Sequence, residues 1–308
     1  MTPAILGPEV EPLLDWAGLT QALTAGHALP RAELGDTFLY RGKDTLLSRA
    51  AFIDGLGALV KTATVFPGNP ARGVPAINGG ASLYADADGR LEALIDFHLL
   101  TKWKTAGDSL LAASLLAPPR VETILILGAG TVARSMIDAY RSRWPAARLT
   151  LWNRTASAAE RLATETGAEA VTDLPAAVSA ADLICTATMA TEPVIRGDWL
   201  RPGQHLDLIG AYRPDMREVD DTALTRARLF ADARATTIGH IGEFKDPIAR
   251  GVITPEDVLA DFSDIAAGRF TRSAPDEITL AKNGGGAHLD LMTARYILER
   301  WRNRHTPA

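Results

Sequence analysis

The chain has 308 residues, 47% hydrophobic and 22% charged, with 32 Lys and Arg against 37 Asp and Glu and a single cysteine, Cys185. At about 100 to 200 residues per domain, this predicts two domains, each with its own core. A formal net charge of −5 offers no basic footprint for nucleic acid or an anionic membrane, and one cysteine excludes an internal disulfide or a cysteine-based zinc site. The first residues, with Pro3, Pro8, Glu9, Glu11 and Pro12, have neither the charge nor the apolar run of a leader, so a cytoplasmic protein without a membrane span is expected.

From the N-terminus to about Pro119, short helical stretches mix with β-type runs. Thr37 to Tyr40, Ala58 to Phe66 and Ala81 to Tyr84 are the strand candidates; Gly68-Asn69-Pro70 and Asp88-Gly89 are the turns. Leu99 to Leu116 reads as a helix closed by Pro118 and Pro119, which places a domain boundary there. Beyond it, apolar strands (Thr123 to Leu127, Arg148 to Trp152, Asp182 to Thr186, His205 to Ile209, Arg228 to Ala231) alternate with amphipathic helices (Thr131 to Trp144, Ala156 to Thr166, Leu174 to Ala180). That alternation predicts an α/β fold with a doubly wound parallel sheet. Thr254 to Phe262 is expected to be helical, and a last helix follows the Gly284-Gly285-Gly286 run, from about Ala287 to Arg302.

The strongest local signal is Ile124-Leu125-Ile126-Leu127-Gly128-Ala129-Gly130-Thr131-Val132-Ala133, a strand entering a Gly-x-Gly-x-x-Ala turn that opens a helix. Gly128 allows the tight turn, Gly130 lets a pyrophosphate approach the backbone, and Ala133 lets the helix sit close to the strand. Gly128, Ala129, Gly130, Thr131 and Val132 are therefore assigned to a dinucleotide. The next strand ends in Trp152-Asn153-Arg154-Thr155, with no carboxylate to grip a ribose hydroxyl; Arg154 can pair with a 2′-phosphate while Asn153 and Thr155 hydrogen-bond it. NADPH is preferred on this reading, with NADH as the second choice. Thr186 and Thr188, at and just past a later strand end, complete the cofactor set.

A nicotinamide supplies hydride, so the protein must supply orientation, charge and a proton route. Lys61 lies inside the apolar run Leu59 to Phe66, where a lysine must snorkel, meet an anion or simply edge a sheet; the residues alone leave these open. Lys104, Arg41, Arg49, Arg72 and Asn69 are further polar candidates. Cys185 is expected to pack as a small apolar residue, and no spacing of His, Asp or Glu suggests a metal.

The runs Gly57 to Thr62, Val65 to Asn69, Leu100 to Ala106, Gly128 to Gly130, Trp152 to Thr155 and Thr188 to Ile195 recur in an order that resembles the ornithine cyclodeaminase/μ-crystallin family. The resemblance implies a substrate-binding and dimerising α+β domain from residues 1–118 and 286–308, a Rossmann domain at 119–285, a homodimer, and a substrate with an α-imino or α-amino carboxylate. It assigns Lys61 to catalysis and carboxylate binding, helped by Lys104, Arg49 and Asn69, with Thr105 as a further donor. Two positions depart from the cyclodeaminases. Tyr212 stands where they place a basic aspartate, and Ile209 to Glu218 looks like the μ-crystallin type; Lys104 replaces an arginine and loses its bidentate fork. The expected activity is reduction of a small cyclic imino acid, Δ1-pyrroline-2-carboxylate to L-proline first and Δ1-piperideine-2-carboxylate to L-pipecolate second. An NAD(P)-dependent amino-acid dehydrogenase, an ornithine cyclodeaminase and a non-catalytic NADPH-binding protein are the alternatives. In the matching segment Gly285 to Asp290, His288 is read as a structural hydrogen-bonder and Asp290 as a helix cap.

Overall fold

The computed structural model describes residues 2–305, and the chain divides into two compact units, residues 1–104 with 286–308 and residues 105–285. The first unit opens with β1 (Ala4–Leu6) and α1 (Trp16–His27), whose N-cap Asp15 accepts from the Gly18 amide at 2.6 Å. Then come β2 (Glu33–Arg41), β3 (Asp44–Ile53), β4 (Gly57–Val65), β5 (Ile77–Tyr84) and β6 (Leu91–Asp96). These form a sheet in the order β1-β6-β5-β4-β3-β2, an antiparallel meander with β1 added in parallel to β6. Register places Asp36, Arg49, Lys61, Ala81, Ile95 and Leu6 directly opposite one another, so they share one face. Along β4 that face is buried at Leu59, Lys61 and Ala63, while Val60, Thr62 and Thr64 on the other face are half-exposed. Lys61 therefore sits in a central strand and not at an edge.

Helix α2 (Phe97–Leu116) carries the chain from the first unit to the second, and the division falls inside it, between Lys104 and Thr105, not after Pro118 and Pro119. The reason is visible in its side chains. Trp103 stacks on Trp16 of α1 at 4.0 Å between ring centroids, whereas Ser109, less than two turns on, donates to Asp207 of the second unit at 3.1 Å. The prolines stop the helix, but its second half already belongs to the next core.

The second unit runs β7 (Thr123–Leu127), α3 (Thr131–Arg143), β8 (Arg148–Trp152), α4 (Ala156–Thr166), β9 (Glu169–Ala170), α5 (Leu174–Ala180), β10 (Leu183–Thr186), β11 (His205–Leu208), α6 (Asp221–Arg226), β12 (Ala227–Ala231), α7 (Arg234–Thr237), α8 (Gly242–Ala249), β13 (Val258–Ala260) and β14 (Ile278–Lys282). All pairings are parallel, in the order β13-β12-β14-β11-β10-β7-β8-β9. The winding reverses between β7 and β10, the place where such sheets bind ligands beyond their strand ends. One expectation fails: Thr254 to Phe262 is not a helix but a 3-10 turn, β13 and a second 3-10 turn. Thr254 with Asp257, and Asp261 with Asp264, form successive capping boxes that each restart the chain after one turn.

From β14 the chain returns to the first unit as α9 (Ala287–Arg302), which packs on β3, β4, β5 and α1. Arg295 anchors it, donating to the Leu56 and Tyr84 carbonyls at 2.8 and 3.1 Å and pairing with Glu92. Among the described residues no helix is long and apolar enough to cross a membrane.

Candidate functional site

On the covered face of the first sheet, the hydrophobic alternation of β4 is broken by one charged residue. Lys61 is 8% exposed, and its Nζ lies 2.8 Å from Asp290 Oδ1 in the first turn of α9, which is buried as well. The Phe97 ring closes another side, its centroid 4.8 Å from Nζ. Burial lowers the pKa of the Lys61 ammonium; Asp290 opposes that shift, while the positive charges of Lys104 and Arg49 reinforce it. Arg49 is bound in a fork to Asp36, with contacts of 2.9 and 3.2 Å, and Asp36 Oδ2 accepts from both guanidinium nitrogens. Lys104, half-buried on α2, has no carboxylate partner among the described residues. The patch thus holds three cations, two of them neutralised, and one positive charge is left over.

Other candidates serve local structure. Asn69 is buried, donates to the Pro75 carbonyl at 3.0 Å and accepts from Arg72, holding the loop between β4 and β5 together. Arg41 pairs with Asp44 across the β2–β3 turn and lies over the Phe66 ring. His288 meets His27 edge-on, with centroids 5.6 Å apart. Asp290 does not cap its helix: the N-cap position is Gly286, which has no side-chain cap bond, and the carboxylate goes to Lys61.

In the second unit, β7 ends at Gly128, whose φ of +119° suits glycine alone. A Cβ there would stand 2.5 Å from the Ala187 carbonyl oxygen, whereas one on Gly130 would meet nothing within 4 Å, so the backbone in front of α3 is open. Ala133 is fully buried against the strand, and Thr131 and Val132 are exposed at the helix start. Thr186, opposite Leu127 across the switch point, is buried, with no hydrogen-bond partner for its Oγ1 among the described residues. Arg154 is exposed past β8; Asn153 donates to the Thr155 carbonyl at 3.0 Å, shaping the turn into α4. An open glycine turn, unbonded amides at a 13-residue helix and a buried hydroxyl in want of a partner fit a dinucleotide pyrophosphate.

Thr188 is held within the protein by a carboxylate. The buried Glu218 carboxylate accepts from the Thr188 amide and hydroxyl (3.0 and 2.7 Å) and from the Gly210 and Ala211 amides (2.9 and 3.0 Å). Glu243 in turn accepts from the Glu218 and Val219 amides at 2.8 and 3.1 Å. Burial and the Glu218 charge push Glu243 up to about 7. Tyr212 is 55% exposed beside Arg213, which is paired with Asp215.

The model of the ornithine cyclodeaminase/mu-crystallin family matches residues 53–305. The chain belongs to that family. It is 51% identical over 291 residues to a Delta(1)-pyrroline-2-carboxylate reductase of Paracoccus denitrificans, covering 92% of each chain. The ketimine reductase mu-crystallin of Mus musculus is 31% identical over 243 residues, 78% of this chain and 75% of that one. Among solved structures, an archaeal alanine dehydrogenase dimer with bound NAD matches with a TM-score of 0.88 at 26% identity, over 100% of this chain and 98% of the other.

Asp36 is not visible in the sequence because it depends on register, and Phe97 because it precedes the expected helix start at Leu99. The candidate strand began only at Thr37, so its pairing with β3 stayed hidden. Glu218 closes the run Ile209 to Glu218, yet nothing in the linear pattern says that its carboxylate binds backbone.

Proposed function

We propose that the chain is an NAD(P)H-dependent reductase of small cyclic imino acids, converting Δ1-pyrroline-2-carboxylate to L-proline and, second, Δ1-piperideine-2-carboxylate to L-pipecolate. The observation that carries this reading is the charge balance around Lys61: one uncompensated cation, Lys104, suits a substrate with one carboxylate. The 51% identity to the Paracoccus denitrificans reductase over nearly its whole length supports it. A bound nicotinamide cofactor supplies the hydride that goes to the imine carbon. Lys104 neutralises the carboxylate, and Lys61 donates N–H groups to the substrate and holds a proton near the ring nitrogen, where positive charge raises the electrophilicity of the C=N carbon. Asn69 supports this site by shaping its neighbouring loop, and Arg49, held in a fork by Asp36, stands directly opposite Lys61 as a further donor for the substrate.

For the cofactor, NADPH is preferred over NADH. No acidic side chain occurs in Trp152 to Thr155, and Arg154 is exposed and available for a 2′-phosphate. Gly128 to Val132 would hold the pyrophosphate, Asn153 and Thr155 would hydrogen-bond the 2′-phosphate beside Arg154, and Thr186 and Thr188 would complete the cofactor set. Cyclodeamination is disfavoured because Tyr212 offers no carboxylate. The protein works as a cytoplasmic homodimer, joined through the face of the first sheet opposite Lys61. That face exposes Ile5 and Leu94 beside a cavity of about 600 Å³ that reaches Val60 and Ser82.

The test is NADPH oxidation with Δ1-pyrroline-2-carboxylate in parallel with pyruvate plus ammonium. Ammonium-independent turnover of the imine is expected. Turnover that requires ammonium would replace this reading with an amino-acid dehydrogenase, and tight NADPH binding without turnover would replace it with a binding protein.

A further inference from the structure

Lysines buried in a sheet face usually lose their proton, because the charged form is the one that burial penalises. Around Lys61 the elements contribute as follows. β3 brings Arg49, β5 brings only Ala81, α2 brings Lys104 and the Phe97 ring, and α9 brings Asp290. Asp36 on β2 is already bound to Arg49. One carboxylate therefore stands against two neighbouring cations and the loss of water. That carboxylate lies in the first turn of α9, and it caps nothing.

Resting on the reductase reading, we propose that Asp290 is the positioning residue of the site: it fixes Lys61 Nζ in place and keeps it an ammonium, so that its remaining N–H groups face the substrate as donors. An ammonium has three donors, and Asp290 Oδ1 takes one at 2.8 Å. Without the carboxylate, burial and the charges of Lys104 and Arg49 would lower the pKa of the amine further, leaving less of the ammonium to hold the substrate's carboxylate or donate a proton.

The test uses the full-length protein and the variants Asp290→Asn and Asp290→Glu, with two readouts. The first is pH-dependent acylation of Lys61 by acetic anhydride, followed on its peptide by mass spectrometry, which needs neither substrate nor turnover. The second is the pH dependence of kcat/KM for Δ1-pyrroline-2-carboxylate. Asp290→Asn should move the half-reactive pH of Lys61 down by at least one unit, a tenfold or greater rise in labelling at pH 7, and should move the alkaline limb of the activity profile by the same amount. Asp290→Glu, which keeps the charge, should leave both much closer to the parent. Unchanged Lys61 labelling in Asp290→Asn, or an equal shift in both variants, would overturn the proposal. If the imine is not a substrate, the labelling result still decides the role of Asp290, so failure of the reductase reading shows separately.

Discussion

Asp207→Asn should make the stability of the protein less dependent on pH. Asp207 lies on β11, fully buried, accepting from Ser109 at 3.1 Å and from the Tyr140 hydroxyl and the Asn283 amide. Burial raises its pKa from 3.8 to about 7, against the pull of these hydrogen bonds and of Lys282. At 1.36 kcal/mol per unit, keeping the ionised carboxylate in that place costs about 4 kcal/mol above pH 7. The folded state binds this proton more tightly than the unfolded chain, so stability declines as pH rises from about 4 to about 7. Between pH 5 and pH 8 the Asp207 contribution changes by roughly 2 to 3 kcal/mol. Asparagine keeps the shape and does not titrate; its Oδ1 can go on accepting from Ser109 and Asn283, and the Tyr140 hydroxyl can turn to accept from its amide. Other titrating groups, Glu243 among them, are common to both proteins and cancel. Urea unfolding at pH 5 and pH 8 and equal ionic strength, followed by tryptophan fluorescence, should show the variant gaining roughly 2 to 3 kcal/mol on the parent across that interval. A difference that is the same at both pH values would refute the account of a proton-retaining Asp207.

Gly128→Ala should weaken NADPH binding and lower Tm by about 4 °C or more, because it combines a backbone conformation costing roughly 1–3 kcal/mol with a contact at the Ala187 carbonyl; fluorescence titration and calorimetry measure the two effects. Arg154→Ala should raise the KM for NADPH roughly tenfold or more and leave that for NADH nearly unchanged, as removal of a charge-assisted phosphate contact requires; steady-state kinetics with both cofactors would show whether the two move together. Leu94→Asp, on the exposed face of the first sheet, should convert a dimer to monomers in light scattering, since a charge placed there must be desolvated when the face is covered.

The parallel unit was largely legible in the sequence because its strands are short, continuous apolar runs punctuated by amphipathic helices. β7, β8, α4, α5 and α9 occur at the expected residues. The meander was less legible. β3 contains Leu46-Leu47-Ser48-Arg49-Ala50-Ala51-Phe52, with neither strict alternation nor β-branched residues, and is held by pairing on both sides. β1 and β14 are likewise strands by virtue of neighbours that lie far along the chain, while β6 pairs both with the distant β1 and with β5 just before it. For the candidate site, sequence supplied the cations and the glycine turn. It could not supply the carboxylates that answer them: Asp290 lies 229 residues from Lys61, and Asp36 meets Arg49 only through register. Lys61 itself was ambiguous until β4 became a central strand.

The Glu218 carboxylate binds the segment after β10 and the segment after β11 at once, and Gly210 packs so close to Thr188 that a Cβ would lie 2.3 Å from its backbone. These two segments therefore cannot be redesigned one at a time. A loop grafted around residues 209–217 to change the chemistry, with an aspartate at Tyr212 for instance, must keep Gly210 and the amides that Glu218 binds if the resident 187–190 segment is to stay in place. The smallest transplantable piece is both loops together with Glu218 and the Glu243 carboxylate beneath it, so new activities here are expected to arise by exchange of that whole block more readily than by point substitution.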